Sequence, residues 1–159
     1  MNLEKLFEIQ GGLDYHITKE KQLGEEDLTS NKILAFKVEL GELLNEIPES
    51  FKFWSNRKDS KREDIREEFV DGMHFLLSVA IERKYHTYVT NASLIVEEGN
   101  VIDFCNRTFE SSINSSGEWL RVFETYLSLG VSLGFTLEEM EQAYYDKNEI
   151  NHRRQINGY

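Results

Sequence analysis

A single proline, Pro48, occurs in 159 residues, and this scarcity constrains the fold more than any other feature of the sequence. Proline breaks a helix when it lies inside one, so a chain that almost lacks proline can form long uninterrupted helices. A fold of short strands and turns would carry more breaks than this sequence offers. The sequence therefore predicts an all-α helical bundle, formed by residues 1–159 as a single domain.

Apolar residues at helical spacing predict five or six helices in all. The first is short, from roughly Leu3 to Gln10, and Gly11-Gly12 is expected to end it, because glycine commonly follows the last turn of a helix. Thr29 and Ser30 are good capping residues, and they are expected to begin a second helix that reaches Pro48.

The next predicted elements are a loop over 51–58 and a long helix. Ser60 followed by Glu63 has the form of a capping box and is expected to begin this helix, which continues to about Ala80. The stretch 85–114 has strand character in places, but a helix over Asn91–Cys105 fits better beside helical neighbours.

Two more helices are predicted after this stretch, and each begins at a capping residue. Ser115 and Thr136 are both followed by a glutamate three residues later, which is the pattern that satisfies the free backbone N–H groups of a first turn. The last helix is expected to fray before Gly158.

Acidic residues outnumber basic residues 29 to 18, which gives a net charge of −11. This excess argues against a nucleic-acid partner, because such proteins need a positive surface to displace counterions. A nucleotide polyphosphate can still bind if divalent cations neutralise the site. The single cysteine and the absence of a long apolar run predict no internal disulfide, no membrane association and a cytoplasmic location.

Two pairs of carboxylates could hold such cations. Glu39 and Glu42 lie three residues apart on the second predicted helix, and Glu68 and Asp71 have the same spacing on the long helix. If these helices pack antiparallel, four oxygen donors meet, which suits two or three Mg²⁺ ions with a triphosphate. The alternative is that both pairs are solvated helix faces whose carboxylates pair with nearby basic residues.

The spacing Glu39-x-x-Glu42 followed by Glu68-x-x-Asp71 resembles the signature of the all-α NTP pyrophosphohydrolases, which include MazG-like enzymes and dimeric dUTPases. Further segments resemble the dimeric dUTPases in particular, while 84–114 carries no recognisable motif and the chain is short for that family. These segments are Gln10 with Leu13-Asp14, Lys52-Phe-Trp54, Asp71-Gly-Met-His74-Phe75, and the tail from Tyr144 to Tyr159.

The resemblance implies a homodimer that uses Mg²⁺ and metal-activated water to hydrolyse dUTP to dUMP and pyrophosphate, with dUDP as a further substrate. Metal ligation would fall to Glu39, Glu42, Glu68 and Asp71, and one of the first two would also orient or deprotonate the attacking water. Substrate contacts would be made by Gln10 and Trp54 at the uracil, His74 and Phe75 at base and sugar, and Lys147, Asn151 and Arg154 at the phosphates.

Structural roles remain open for several of these residues. Trp54 could be a buried anchor between helices, and His74 with Phe75 could be core packing. Lys147 and Arg154 could complement the carbonyl end of the last helix. Two other functions also remain: a related pyrophosphohydrolase acting on dCTP or modified nucleotides, and a helical interaction protein without enzymatic activity.

Overall fold

The computed structural model describes residues 1–24 and 26–158, and within these ranges all regular secondary structure is helical, as predicted. Seven α-helices and one 3₁₀ turn are present there. In chain order they are α1 (Leu3–Lys21), α2 (Thr29–Glu46), the 3₁₀ turn (Pro48–Ser50), α3 (Arg62–Glu82), α4 (His86–Val89), α5 (Val101–Glu110), α6 (Ser116–Ser132) and α7 (Leu137–Ile156).

Helix α3 lies at the centre, and α2 packs antiparallel along it in the most extensive contact between two helices. At one end the Lys32 ammonium donates to Glu82 over 2.7 Å. At the other end the Ser60 amide donates to the carbonyl of Glu46 over 2.8 Å. Helices α1, α6 and α7 also pack on α3, so each of them borders the same hydrophobic core.

Tyr126 of α6 fills the space behind the α2–α3 pair and is fully buried. Its ring stacks on Phe69 of α3, with centroids 4.5 Å apart, and meets the edge of Phe36 of α2 at 5.2 Å. Its hydroxyl donates to the Phe69 carbonyl over 2.8 Å. The hydroxyl comes this close because Gly72 has no side chain: a Cβ there would overlap the Tyr126 oxygen and lie 2.8 Å from its ring carbon Cζ.

The prediction that Gly11-Gly12 ends the first helix is wrong, since α1 continues to Lys21. Glycine in a helix costs roughly 0.5–1 kcal/mol relative to alanine. Leu13, just beyond the pair, is 2% exposed, and burying a leucine contributes about 1.5–3 kcal/mol. Packing of the second half of α1 therefore offsets the local preference. The helix ends instead at Gln22, which has a left-handed conformation with φ of 54°.

Two predicted helix starts also differ from the structure. Thr29 is the first residue of α2, and the cap position is held by Leu28, whose side chain makes no capping bond. The Asp27 carboxylate accepts from the Thr29 amide over 3.0 Å. The capping box of Ser60 and Glu63 does not form, because α3 begins at Arg62 without a side-chain cap. By contrast, the caps predicted at Ser115 and Thr136 are confirmed, the second as a complete capping box.

The helix predicted over Asn91–Cys105 is wrong in its first half. Residues 91–100 are irregular, and the helix in this region is α5, which Asn100 caps through bonds to the amides of Ile102 and Asp103. The irregular backbone is satisfied by α6: the Ile95 amide donates to Glu124 over 2.8 Å, and the Glu97 amide to Ser128 over 2.9 Å. Side chains of α6 thus supply partners that a helix would find within itself.

Among the helices of the described ranges, none combines the length and the apolar character that crossing a membrane requires.

We expect Gly72→Ala to lower the free energy of unfolding by about 1–3 kcal/mol, because the added methyl group must displace the buried Tyr126. Urea denaturation measures the change. The matched control is Gly12→Ala, since a Cβ at Gly12 meets no atom within 4 Å. That variant should gain roughly 0.5–1 kcal/mol from helix propensity. Equal stabilities for the two variants would contradict the close packing described.

Candidate active site

Three of the four predicted carboxylates come together where α2 and α3 face each other. One oxygen each from Glu39, Glu42 and Glu68 lies within 4.8 Å of the others. The antiparallel packing produces this group, since the i, i+3 spacing places each pair on one helix face. Within the described ranges, these three form the one group of side chains that could hold a metal ion by this measure.

The fourth carboxylate, Asp71, lies one turn along α3 and outside this group. Its Oδ2 accepts a hydrogen bond from the Lys147 ammonium over 2.7 Å. The same ammonium donates to Glu67 Oε1, also over 2.7 Å. The sequence predicted Lys147 as a phosphate contact; in the structure it is a buried cation from α7 held between two carboxylates of α3.

Negative charge is in excess where the carboxylates meet. Burial first, and then repulsion by Asp71, Glu42 and Glu68, raises the pKa of Glu39 to about 7. Burial and the neighbouring carboxylates also raise the pKa of Glu68. Hard oxygen donors with uncompensated charge are the ligands that Mg²⁺ prefers, so these residues fit a divalent cation.

A cavity of about 340 Å³ adjoins the carboxylates and lies between α1, α2, α3 and α7. Its volume falls at the lower end of the range for small-molecule sites, roughly 300–1,000 Å³. Glu39, which belongs to the three-carboxylate group, and Asp71 form one part of its wall. The rest of the lining is Gln10, Leu13, Asp14, Ile17, Thr18, Leu23, Leu28, Lys32, His74, Phe75, Ser78, Asn151, Arg154 and Gln155.

The floor of the cavity is a hydrogen-bonded network centred on Gln10, which is 2% exposed. Its Nε2 donates to Asp14 over 2.7 Å, and its Oε1 accepts from the Tyr144 hydroxyl over 2.9 Å. Asp14 also accepts from the Ser78 hydroxyl over 2.6 Å. Burial raises the pKa of Asp14 despite these donors and the nearby ammonium of Lys32. A network of this kind holds its side chains in fixed orientations.

His74 takes part in this network as a neutral ring. Its Nδ1 lies 2.9 Å from Gln10 Oε1. Because the Gln10 amide nitrogen donates to Asp14, Oε1 is an acceptor, so this contact assigns the proton to Nδ1. Burial lowers the pKa of His74 to about 3, with a smaller contribution from Lys147. Its Nε2 is then an acceptor, buried and without a hydrogen-bond partner among the described residues.

Five of the seven predicted substrate contacts line this cavity: Gln10, His74, Phe75, Asn151 and Arg154. Trp54 does not. It lies in the 51–61 loop with 68% of its surface exposed, beside Phe53, which is 94% exposed. The alternative of a buried anchor is therefore wrong for Trp54.

Sequence reasoning did not select several polar residues of the cavity as site residues. Asp14 lies one helical turn after Gln10, and Ser78 one turn after His74. The i, i+4 spacing from residues already chosen was a signal for both. Asp14 and Gln155 also lie in segments that resemble the dimeric dUTPases. Lys32 carried no comparable signal, because lone polar residues on a helix are usually solvated.

The raised pKa of Glu39 predicts that divalent cations bind more tightly as the pH rises. Below about pH 7 a cation must displace a proton from Glu39 in the metal-free protein, so the dissociation constant for Mn²⁺ should fall about 10-fold between about pH 6 and pH 8. Calorimetric titration in the absence of nucleotide measures it. A flat profile over this range would contradict the charge crowding.

The raised pKa of Glu39 also makes the free energy of unfolding depend on pH. The folded-state pKa of Glu39 lies above its ordinary value of 4.5, so the contribution of this group is most favourable below that value. It is lost as the pH rises from that value through about 7, because over this range the folded protein still holds a proton that the unfolded chain has released. Mg²⁺ should reduce this loss.

Comparison with family models finds a match to one described as dUTPase, over residues 2–159. No curated protein matches the chain.

Proposed function

Because this chain belongs to the all-helical dUTPase family and hydrolyses dUTP to dUMP and pyrophosphate, we propose that the reaction takes place where the cavity meets the carboxylates of α2 and α3. The observation that carries this proposal is the shared wall: Glu39 belongs both to the carboxylate group and to the cavity lining. A nucleotide whose base lies in the cavity would thus have its phosphates directed towards the carboxylates.

The enzyme depends on a divalent metal, as its family implies and its carboxylate group allows. We propose Mg²⁺, two or three ions, held by Glu39, Glu42, Glu68 and Asp71. When bound, Mg²⁺ neutralises phosphate charge and makes water a better nucleophile. One carboxylate of the first pair would orient the attacking water or accept its proton.

We propose that the polar floor of the cavity recognises the uracil base. Uracil has an N–H donor at N3, and the unpartnered Nε2 of His74 is a neutral acceptor suited to it. Cytosine has no N–H at this position, so it would leave the acceptor unsatisfied, which costs about 1–3 kcal/mol. Gln10 would fix the ring of His74, and Phe75 would pack against base or sugar.

The phosphates are assigned to one face of α7. Lys147, Asn151 and Arg154 follow one another at i, i+4 and i+7, and charged donors of this kind bind phosphate oxygens strongly. Asn151 and Arg154 line the cavity, which supports their part of the assignment.

A contact of Trp54 with the nucleotide stays a prediction, and it requires movement of its loop or a second subunit. The cytoplasmic location also stays a prediction.

Turnover measurements on a nucleotide panel test this function. We expect Mg²⁺-dependent release of pyrophosphate from dUTP, with strong rejection of dCTP, dTTP and UTP, and phosphate release from dUDP. Glu42→Gln should lower the rate with dUTP by about 100-fold, because it removes one anionic ligand of the metal. Glu46→Gln is the matched control, since Glu46 lies one turn further along α2 and outside the carboxylate group.

Each other outcome of the panel has a definite meaning. Turnover of dCTP or a modified nucleotide in preference to dUTP would move the enzyme to the related pyrophosphohydrolase that the sequence left open. Equal activity of the two glutamine variants would remove Glu42 from the metal site. No turnover of any nucleotide, by folded protein with Mg²⁺, would contradict the enzymatic function itself.

We also propose that the enzyme is a homodimer, as its resemblance implies. Two apolar side chains on the outer face of α2 support this: Leu34 is 64% exposed and Val38, one turn later, is 49% exposed. Light scattering should give twice the 18.7 kDa mass of one chain. Leu34→Glu combined with Val38→Glu should shift the mass to that of a monomer, whereas Tyr88→Glu, at another exposed site, should not. An unchanged mass in the double variant would reject this face.

A further inference from the structure

Lys147 is an unusually buried cation, with 7% of its side chain exposed. Burial of an ammonium group costs several kcal/mol unless opposite charges compensate it. Two carboxylates do so here, Glu67 and Asp71, which lie one helical turn apart on α3 and each accept a hydrogen bond of 2.7 Å. The ammonium is therefore held from two sides, and among the described residues one of its three N–H donors has no partner.

The two carboxylates that hold Lys147 differ in their surroundings. Asp71 lines the nucleotide cavity and belongs to the predicted metal ligands. Glu67 lines a separate cleft of about 210 Å³ between α3 and α7, together with Lys147 itself. The side chain of Glu67 is 55% exposed, and hydrogen bonding to Lys147 is the main cause that lowers its pKa. Glu67 thus reaches the ammonium from the side away from the cavity.

We propose that Glu67 is a positioning residue that acts through Lys147. It keeps the ammonium beside Asp71, which lines the cavity, before the nucleotide binds. The remaining N–H can then turn to a phosphate oxygen without a search through the many conformers of a lysine side chain. Ordering such a side chain costs about 0.5–1.5 kcal/mol on binding, and pre-ordering removes that cost. This inference rests on the proposed assignment of Lys147 to the phosphates.

The proposal separates Glu67 from the residues that contact the nucleotide. Glu67 lies outside the three-carboxylate group and outside the cavity lining, so it needs no contact with metal or substrate. Its removal should therefore weaken binding only of ligands that carry phosphates, and only while Lys147 is present.

The first test is calorimetric binding with the non-hydrolysable analogue α,β-imido-dUTP and Mg²⁺, with deoxyuridine as the ligand without phosphates. Glu67→Gln should raise the dissociation constant of the analogue about 10-fold and leave that of deoxyuridine unchanged. Glu63→Gln is the matched control, because it removes the same charge from the same cleft. Glu63 lines that cleft but forms no ion pair with Lys147. It should bind both ligands as the unmodified enzyme does.

A double-mutant cycle with Lys147→Met tests whether Glu67 acts through the ammonium. Once Lys147 is replaced, Glu67→Gln should have no further effect on binding of the analogue. An equal loss in both backgrounds would overturn the proposal, and so would analogue binding by Glu67→Gln equal to that of the unmodified enzyme. Both outcomes leave dUTP turnover by the unmodified enzyme intact, so they are distinct from failure of the proposed function.

A measurement on the protein without metal and nucleotide adds a readout independent of activity. In ¹⁵N-lysine-labelled protein, the Lys147 ammonium should give a slowly exchanging resonance, because both of its partners restrict contact with water. The resonance should be lost or broadened in Glu67→Gln and retained in Glu63→Gln. A resonance unchanged in Glu67→Gln would show that Asp71 alone holds the ammonium, which overturns the role of Glu67.

Discussion

The contact of Tyr126 with both α2 and α3 is the constraint on which the candidate site depends. Its ring packs against Phe36 of α2 and Phe69 of α3, and each of these aromatic residues lies within one helical turn of a carboxylate of the site. The repulsion among Glu39, Glu42 and Glu68 acts to separate the two helices. Apolar packing on the far side opposes it, since burying aromatic rings is among the larger favourable contributions that single residues make.

The charge distribution of the site favours the binding of cations and lowers the stability of the metal-free protein. Repulsion and burial raise the pKa values of Glu39 and Glu68, which means that their ionised forms are disfavoured in the metal-free protein. Lys147 partly compensates this on the side of Asp71. Sites that are destabilised in this way are common in enzymes, because the ligand supplies the missing charge. The excess of negative charge among the crowded carboxylates is thus the physical reason why an enzyme of this family would need a divalent metal.

Local patterns predicted the fold class, the loop after α2, the course of α3 and the caps of α6 and α7. They failed where a distant contact decides the outcome. Gly11-Gly12 lies inside α1 because Leu13 is buried against the rest of the molecule. Likewise, the irregular stretch 91–100 is held by side chains of α6. Neither contact can be read from the residues next to it.

The same division applies to the site. The i, i+3 spacing predicted which carboxylates share a helix face, since that spacing is a property of a single helix, and three of the four predicted ligands lie together. The pairing of Lys147 with Asp71 and Glu67 was not predicted, because it depends on how α7 lies on α3. A polar floor joining Gln10 to Asp14 and Ser78 likewise needs α1 and α3 side by side.

The bond between Tyr144 and Gln10 joins positions 134 residues apart in sequence. Contacts over such distances form late in folding, because closing a long loop carries an entropic cost that must be met before the contact stabilises anything. The helices α2, α3 and α6 can associate through nearer neighbours. The cavity beside the carboxylates is therefore expected to be completed last, when α7 docks against α1. If this cavity binds the base as proposed, a partly folded chain would hold its carboxylates without yet being able to select a nucleotide.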